Sequence, residues 1–205
     1  MYTPKAFEIE TDAAEAIIDG CDLASVIVFD AADGFEATWL PLIRRPGRLV
    51  GHVAKANSLW RRPGPVLAMF RTVDGYVSPS WYLSKQEHGK VVPTWNYVVA
   101  NVHGTLVAHQ EQAWKREVVS ALTQRHEGRI NGGWKVSDAP DDYIDSMLAS
   151  IVGIEIVVDR IEAKAKLSQN RPTADIAAVV AANPNAMGAA VQDAADAAES
   201  RSTVT

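Results

Sequence analysis

The sequence of 205 residues contains a single cysteine, Cys21, and no apolar run long enough to span a membrane. One cysteine cannot form an internal disulfide, which favours a reducing compartment. The first residues also lack the basic and apolar regions of a secretory signal. We therefore expect a cytoplasmic protein without a membrane association. Since Cys21 falls between a predicted helix end and an apolar strand, we expect it to be a small buried hydrophobic residue.

Several signatures of well-known chemistries are absent. The sequence has no G-x-G-x-x-G after a strand, no P-loop, no H-E-x-x-H and no G-x-S-x-G. Its five histidines show no metal-binding spacing, so no metal site is expected. These absences argue against a Rossmann cofactor site, a P-loop nucleotide site, a zinc protease and an α/β-hydrolase, and they leave the catalytic residues unknown.

Negative charge is missing from one stretch of an otherwise acidic chain. The net charge is −5, which argues against a protein built as a whole to bind nucleic acid. Residues 43–62 nevertheless contain six Arg or Lys residues and no Asp or Glu. This stretch is either a solvated basic face or an anion site, and it is the only candidate surface for DNA.

The order of the elements predicts an α+β fold, an antiparallel split β-barrel with flanking helices. Strands are expected over 24–30, 35–43, 49–54, 65–73, 92–109 and 153–169, and helices over 11–20, 111–127, 138–152 and 173–182. The first two strands read as a hairpin, and β-α-β alternation is rare, which favours an antiparallel barrel over a doubly wound sheet. Residues 1–182 are expected to form one domain, and 183–205 an Ala- and Asp-rich tail, either a weak helix or disordered. In the helix over 138–152, Tyr143, Met147 and Ile151 are predicted to share the apolar face.

Three stretches place hydrogen-bond donors at strand ends or beside aromatic rings. They are "GHVAKAN" (51–57), the aromatic-rich run 77–97 with "VSPSWY" and "VPTWNY", and "KLSQNRP" (166–172). Each has an ordinary structural explanation: Asn57 as a helix cap, the aromatics as core or dimer interface, and 166–172 as a strand end followed by a cap. Taken together, they favour a pocket for a flat, polar ligand.

These stretches, with "IVGIEI" and the N-terminal "MYTPKAF", resemble the PaiB family of FMN-binding negative transcriptional regulators over about residues 1–180. The resemblance implies a flavin-reductase-like split barrel that forms a homodimer and binds FMN at the subunit interface. It assigns Lys55 and Arg171 to the phosphate and the aromatic side chains to the walls around the flavin ring. The cofactor-binding residues carried over from the matching motifs are His52, Lys55, Asn57, Ser78, Ser80, Trp81, Tyr82, Thr94, Trp95, Asn96, Lys166, Ser168, Gln169, Asn170 and Arg171.

The sequence departs from the family pattern at two positions. Trp39 stands in "TWLP" where the family usually has histidine, and Ser58 stands where it usually has proline. The chain therefore has no histidine at position 39 to contact a ligand, and an alternative role for Trp39 is a wall of the pocket.

Three functions remain open from the sequence. The first is an FMN-binding regulator, although no helix-turn-helix and no net positive charge support DNA binding. The second is a flavin-dependent oxidoreductase, a flavin reductase or NAD(P)H-dependent enzyme, that uses the same pocket. The third is a protein-interaction or haem-handling role, and in the haem case His52 or His103 would be the iron ligand.

Overall fold

The computed structural model describes residues 1–202, with side chains as far as residue 197. The seven strands are β1 (Ala24–Asp30), β2 (Gly34–Leu40), β3 (Ile43–Arg45), β4 (Arg48–Ala54), β5 (Gly64–Val77), β6 (Thr94–His109) and β7 (Ile151–Lys166). The helices are α1 (Thr11–Gly20), α2 (Ser84–His88), α3 (Gln112–Arg129), α4 (Asp141–Ala149), α5 (Thr173–Ala182) and α6 (Ala186–Ser202). No helix in this part of the chain is both long and apolar enough to cross a membrane.

The strands form one sheet in the order β2-β1-β5-β6-β7-β4-β3. Strand β1 pairs antiparallel with β2, Phe29 opposite Phe35, which confirms the predicted hairpin. Strands β1 and β5, β3 and β4, and β4 and β7 also pair antiparallel. The α+β, antiparallel fold class predicted from the sequence is therefore confirmed.

The chain divides into two units. The first unit contains residues 1–17 and 71–100 and the chain from Glu162 onwards. The second unit contains residues 18–70 and 101–161. Strands β5, β6 and β7 each contribute residues to both units because the boundaries fall within these strands.

In the second unit, α3 packs on β4 and β7. Val50 of β4 is buried against Val118 and Leu122 of α3, which lie one helical turn apart. Gly153 of β7 lies beneath Trp114, and a Cβ at this glycine would lie 2.2 Å from the indole ring. The glycine therefore permits a helix-to-sheet contact that no larger residue could accommodate without movement. Cys21, in the same unit, is buried as predicted.

The apolar face predicted for α4 was wrong by one residue. Tyr143 and Met147 are exposed, whereas Ile144 and Leu148 are buried with Val136. The physical reason is that Ile151 belongs to β7 and not to the helix, so it does not define the helical face. Residues 144 and 148 have the same spacing of four as the pair that was predicted.

In the first unit, α5 packs against α6, where Met187 and Val191 are buried. The sequence left a weak helix or a disordered tail open beyond residue 182. The structure has a helix over Ala186–Ser202, and residues 203–205 lie outside the described residues. The domain boundary at residue 182 stays a prediction.

Candidate ligand site at the start of β6 and the end of β7

All of the predicted site residues except His52, Lys55 and Asn57 lie in the first unit. They occupy the turn after β5, the first residues of β6, and the end of β7 with the turn that follows. Strands β6 and β7 are neighbours in the sheet, and the end of β7 lies next to the start of β6, where Lys166 contacts Thr94 and Trp95.

Lys166, at the end of β7, joins these two strands. Its Nζ donates to Thr94 Oγ1 and, over 2.8 Å, to the carbonyl oxygen of Trp95. Burial lowers the pKa of Lys166, and the positive charges of Lys164 and Arg171 lower it further, although Tyr97 opposes the shift. Lys166 is therefore close enough to two other cations of the first unit, Lys164 and Arg171, for their charges to act on it.

Lys164 belongs to the same group, and sequence reasoning missed it. Its buried Nζ lies 5.7 Å from the ring centroid of Tyr2, 5.8 Å from that of Phe7 and 5.3 Å from that of Tyr97. Since the side chains of residues i and i+2 share one face of a strand, the "KAK" of residues 164–166 was the signal that could have revealed it.

Asn96 and Ser168 form a buried polar pair. Asn96 Nδ2 donates to Ser168 Oγ over 3.0 Å, and Ser168 Oγ is 3.3 Å from Asn96 Oδ1. Ser168 has a φ of 70°, in the left-handed region that non-glycine residues rarely adopt. Gln169 Nε2 donates to the carbonyl oxygen of Ala165 over 2.6 Å. These side chains fix the turn after β7, and their direct contact with a ligand stays a prediction.

Arg171 lies over the ring of Tyr82. The guanidinium carbon is 4.7 Å from the ring centroid, a cation–π distance. Tyr82 is 2% exposed, whereas Trp95 is 50% exposed. Trp95 thus offers an aromatic surface to a ligand, whereas Tyr82 offers very little.

A buried carboxylate ties the segment after Tyr82 to the start of α5. Asp175 Oδ1 accepts from the backbone N–H of Ser84 over 3.0 Å, and Oδ2 accepts from Ser84 Oγ over 2.6 Å. Burial raises the pKa of Asp175, but the Ser84 hydrogen bonds and the nearby Arg171 outweigh it, so the pKa lies below its ordinary value.

Ser78 and Ser80 lie beside the aromatic residues of the predicted site. Their Oγ atoms are 2.6 Å apart, and Ser78 Oγ also accepts from the backbone N–H of Ser80. This arrangement caps the short 3₁₀ turn Pro79–Trp81, in which Trp81 is half-buried. Trp95 Nε1 donates to Asp74 Oδ1 over 3.0 Å. Asn170 is exposed.

The remaining three predicted residues lie in the second unit. The Nδ1 atom of His52 is buried and has no hydrogen-bond partner among the described residues, and burial lowers the pKa of this histidine. Lys55 is exposed. Asn57 Oδ1 accepts from the backbone N–H of Leu59 over 2.8 Å, which confirms that it caps the next turn. Their part in ligand binding stays a prediction.

The basic stretch 43–62 is largely neutralised by ion pairs. Arg44 pairs with Asp19 at 2.5 Å and Arg45 with Glu117 at 2.6 Å. Arg48 and Arg62 also pair with carboxylates: Glu155 for Arg48, and Asp33 and Glu36 for Arg62. The stretch contains no acidic residue of its own, but the fold brings acids to it from elsewhere in the second unit.

A cleft of about 620 Å³ in the second unit contains none of the predicted site residues. One wall is a polar stripe on α3 that includes Arg116, Ser120, Thr123 and Gln124, and Trp134 lies opposite in the following loop. The spacing of these α3 residues places them on one helical face, and this was the signal in the sequence. Charges of both signs line the cleft, so it does not select an anion.

The fold is shared with flavin-binding proteins of the split-barrel class. The FAD and heme binding protein of Mycobacterium smegmatis superposes with a TM-score of 0.60 over 85% of this chain and 80% of its own, at 19% sequence identity. At that identity, the likeness concerns the fold alone.

Sequence comparisons give the family. Residues 1–160 match the family described as "Putative FMN-binding domain", and the chain belongs to this family. The protease synthase and sporulation protein PAI 2 of Bacillus subtilis, which is PaiB, is 31% identical over 91% of this chain and 93% of its own length. The predicted resemblance to PaiB is therefore confirmed.

A fungal protein is similar in sequence to part of this chain. An uncharacterised protein of Aspergillus fumigatus is 30% identical over 66% of this chain. The match covers 65% of the fungal protein, so that protein is longer than the region it shares with this chain.

Proposed function

We propose that this chain binds FMN as a homodimer and has a regulatory role of the PaiB type. The observation that carries the proposal is the group of three cations, Lys164, Lys166 and Arg171, in the first unit. Among the described residues, none of the three has a carboxylate within the 4.0 Å of an ion pair.

A phosphate monoester fits this group of cations. It carries close to two negative charges at neutral pH, and it is bound by Arg forks, Lys ammonium groups and hydroxyls. Lys166 and Arg171 supply the first two, and Thr94, whose Oγ1 accepts from Lys166, supplies a hydroxyl. Burial lowers the pKa of Lys166 and the charges of Lys164 and Arg171 lower it further, so a bound dianion would stabilise the charged form of this lysine.

The aromatic residues of the first unit suit the flat part of the same ligand. Trp95 is half-exposed, and its ring centroid lies 6.2 Å from that of Tyr76, which is also half-exposed. A flavin ring stacks on such surfaces. When bound, FMN would supply redox chemistry that no side chain of the protein provides. Lys166, Arg171 and Trp95 would bind and orient it.

The homodimer is supported by an apolar face on β1, β2 and β5 in the second unit. Opposite residues of antiparallel strands point to the same side of the sheet, so the registers Phe29–Phe35, Ser25–Trp39 and Ser25–Met69 define one face. This β1–β2–β5 face consists of Ser25, Ile27, Phe29, Phe35, Ala37, Trp39, Leu67 and Met69.

A second copy of this chain is the partner that we propose for the β1–β2–β5 face. Phe29, Phe35 and Trp39 are 62%, 80% and 66% exposed, although large aromatics are seldom left together in water. The face contains no charged residue, and an uncharged, self-complementary patch suits a two-fold contact between identical chains.

We base the proposed regulatory role on the similarity of this chain to PaiB. The ion pairs of Arg44, Arg45, Arg48 and Arg62 argue against DNA contact through residues 43–62. We therefore propose regulation that depends on the bound flavin and not on this basic stretch.

Equilibrium titration of the apo protein with FMN, followed by tryptophan fluorescence, tests FMN binding. We expect saturable quenching, about tenfold weaker binding by Lys166→Met, and no change for the control Lys85→Met, an exposed lysine of α2. Unchanged binding by Lys166→Met would contradict the assigned site. Bleaching of the bound flavin by NADPH would favour the oxidoreductase over the regulator.

A further inference from the structure

The hydroxyl of Tyr82 is a buried polar group without a partner. Its Oη atom makes no hydrogen bond within the described part of the chain, and the side chain is 2% exposed. A buried hydroxyl left unpaired is unfavourable by an amount that a hydrogen bond to a ligand or a water would recover. A phenylalanine at this position would fill the same space without that cost.

Arg171 covers this tyrosine and is not held by an ion pair. Its guanidinium lies over the ring at 4.7 Å, and no carboxylate of the described residues lies within 4.0 Å of it. The Arg171 guanidinium thus lies beside the buried side chain of Tyr82, whose hydroxyl is a hydrogen-bond donor. The N–H groups of Arg171 are themselves available to a ligand. A single phosphate group is large enough to accept from both at once.

The segment around Tyr82 is held in place by a residue that lies close to Arg171 in the sequence. Asp175 holds the backbone N–H and the hydroxyl of Ser84, two residues after Tyr82, and lies four residues after Arg171. This connection holds the tyrosine and the arginine as one group, which reduces the entropy lost when a ligand binds.

We infer that Tyr82 Oη and the Arg171 guanidinium together bind the phosphate of the flavin, the arginine turning from the ring face to the phosphate. The inference rests on the proposed function, and it replaces the sequence-based role of Tyr82 as a wall of the flavin ring. The ligand class is a phosphate monoester, and the phenolic O–H donates to a phosphate oxygen.

Tyr82→Phe tests this role because it removes one oxygen and keeps the ring under Arg171. We expect FMN to bind about tenfold more weakly to Tyr82→Phe than to the parent protein, since a hydrogen bond to a charged group is lost. Riboflavin, which lacks the phosphate, should bind both proteins equally. The melting temperature of the apo variant should be equal to or above that of the parent.

Tyr143→Phe, which removes an exposed hydroxyl from α4, is the matched control and should change none of these values. Inorganic phosphate provides a readout without flavin: it should raise the melting temperature of the parent more than that of Tyr82→Phe. Equal FMN affinity in the parent and Tyr82→Phe would overturn the inference, as would an equal loss for FMN and riboflavin. Failure of the parent to bind either flavin would instead overturn the proposed function.

Discussion

At the scale of single residues, Ser84 and Asp175 join parts of the chain that are 91 positions apart. The segments "VSPSWY" and "KLSQNRP" were predicted from the sequence as site segments. The hydrogen bonds between Ser84 and Asp175, which lie just after these two segments, were not predicted. Contacts between distant residues leave no local pattern, whereas the cap formed by Asn57 follows a local rule and was predicted correctly. The burial of Cys21 was also predicted from its neighbours in the sequence, a helix end and an apolar strand.

Ser84→Ala should destabilise the protein by about 1–2 kcal/mol at neutral pH, because a hydrogen bond to a buried carboxylate is lost. The control is Ser146→Ala at an exposed position of α4, where we expect a change of less than about 0.5 kcal/mol. Urea unfolding at pH 7 measures both values. Equal stability of the Ser84 variant and the parent would contradict the role given to Asp175.

The effect of Ser84→Ala should depend on pH. The folded-state pKa of Asp175 lies below its ordinary value of 3.8, so the carboxylate stabilises the fold above about pH 3.8. That contribution is lost as the pH falls through the folded-state pKa. Loss of the Ser84 hydroxyl raises this pKa, so acid unfolding of the variant should begin at a higher pH. Circular dichroism during acid titration would show the shift, and coincident curves would contradict it.

At the scale of elements, the structure confirms most strands and helices because their apolar periodicity is strong. The error in α4 arose where a helix runs directly into a strand, since one residue counted in the wrong element changes the predicted face. The close approach of α3 to β7 at Gly153 was not predicted, because the sequence does not show which ring covers a glycine.

Gly153→Ala should destabilise the protein by about 1–3 kcal/mol, because the new methyl group would displace Trp114 or the β7 backbone. Gly128→Ala is the matched control within α3, where a Cβ would meet nothing within 4 Å. There the change should stabilise by about 0.5–1 kcal/mol, since alanine is the better helix former. Thermal unfolding of both variants distinguishes steric conflict from a general effect of replacing glycine.

At the scale of the whole molecule, alternation and the PaiB resemblance together predicted the antiparallel fold and the family. The division into two units was not predicted, because β5, β6 and β7 continue without a break across the boundaries. The apolar β1–β2–β5 face was also missed. It becomes visible only when strand register shows that Phe29, Phe35 and Trp39 share one side of the sheet.

Phe35→Glu should convert the proposed dimer to a monomer, because it would place a charge in a buried apolar contact. Ile130→Glu, at a position that is 73% exposed, is the control and should remain dimeric. Sedimentation velocity at several protein concentrations measures both. A parent protein that sediments as a monomer at every concentration would contradict the dimer, and so would a dimeric Phe35→Glu.

The visible absorption spectrum of the purified protein, recorded before FMN is added and after the excess is removed, tests whether the protein binds FMN. We expect retained absorbance at the flavin maxima, with flavin fluorescence quenched by stacking against tryptophan. A protein that retains no flavin would contradict it. In that case the aromatic residues of the first unit would belong to the core or to an interface, and the three cations would bind another anion.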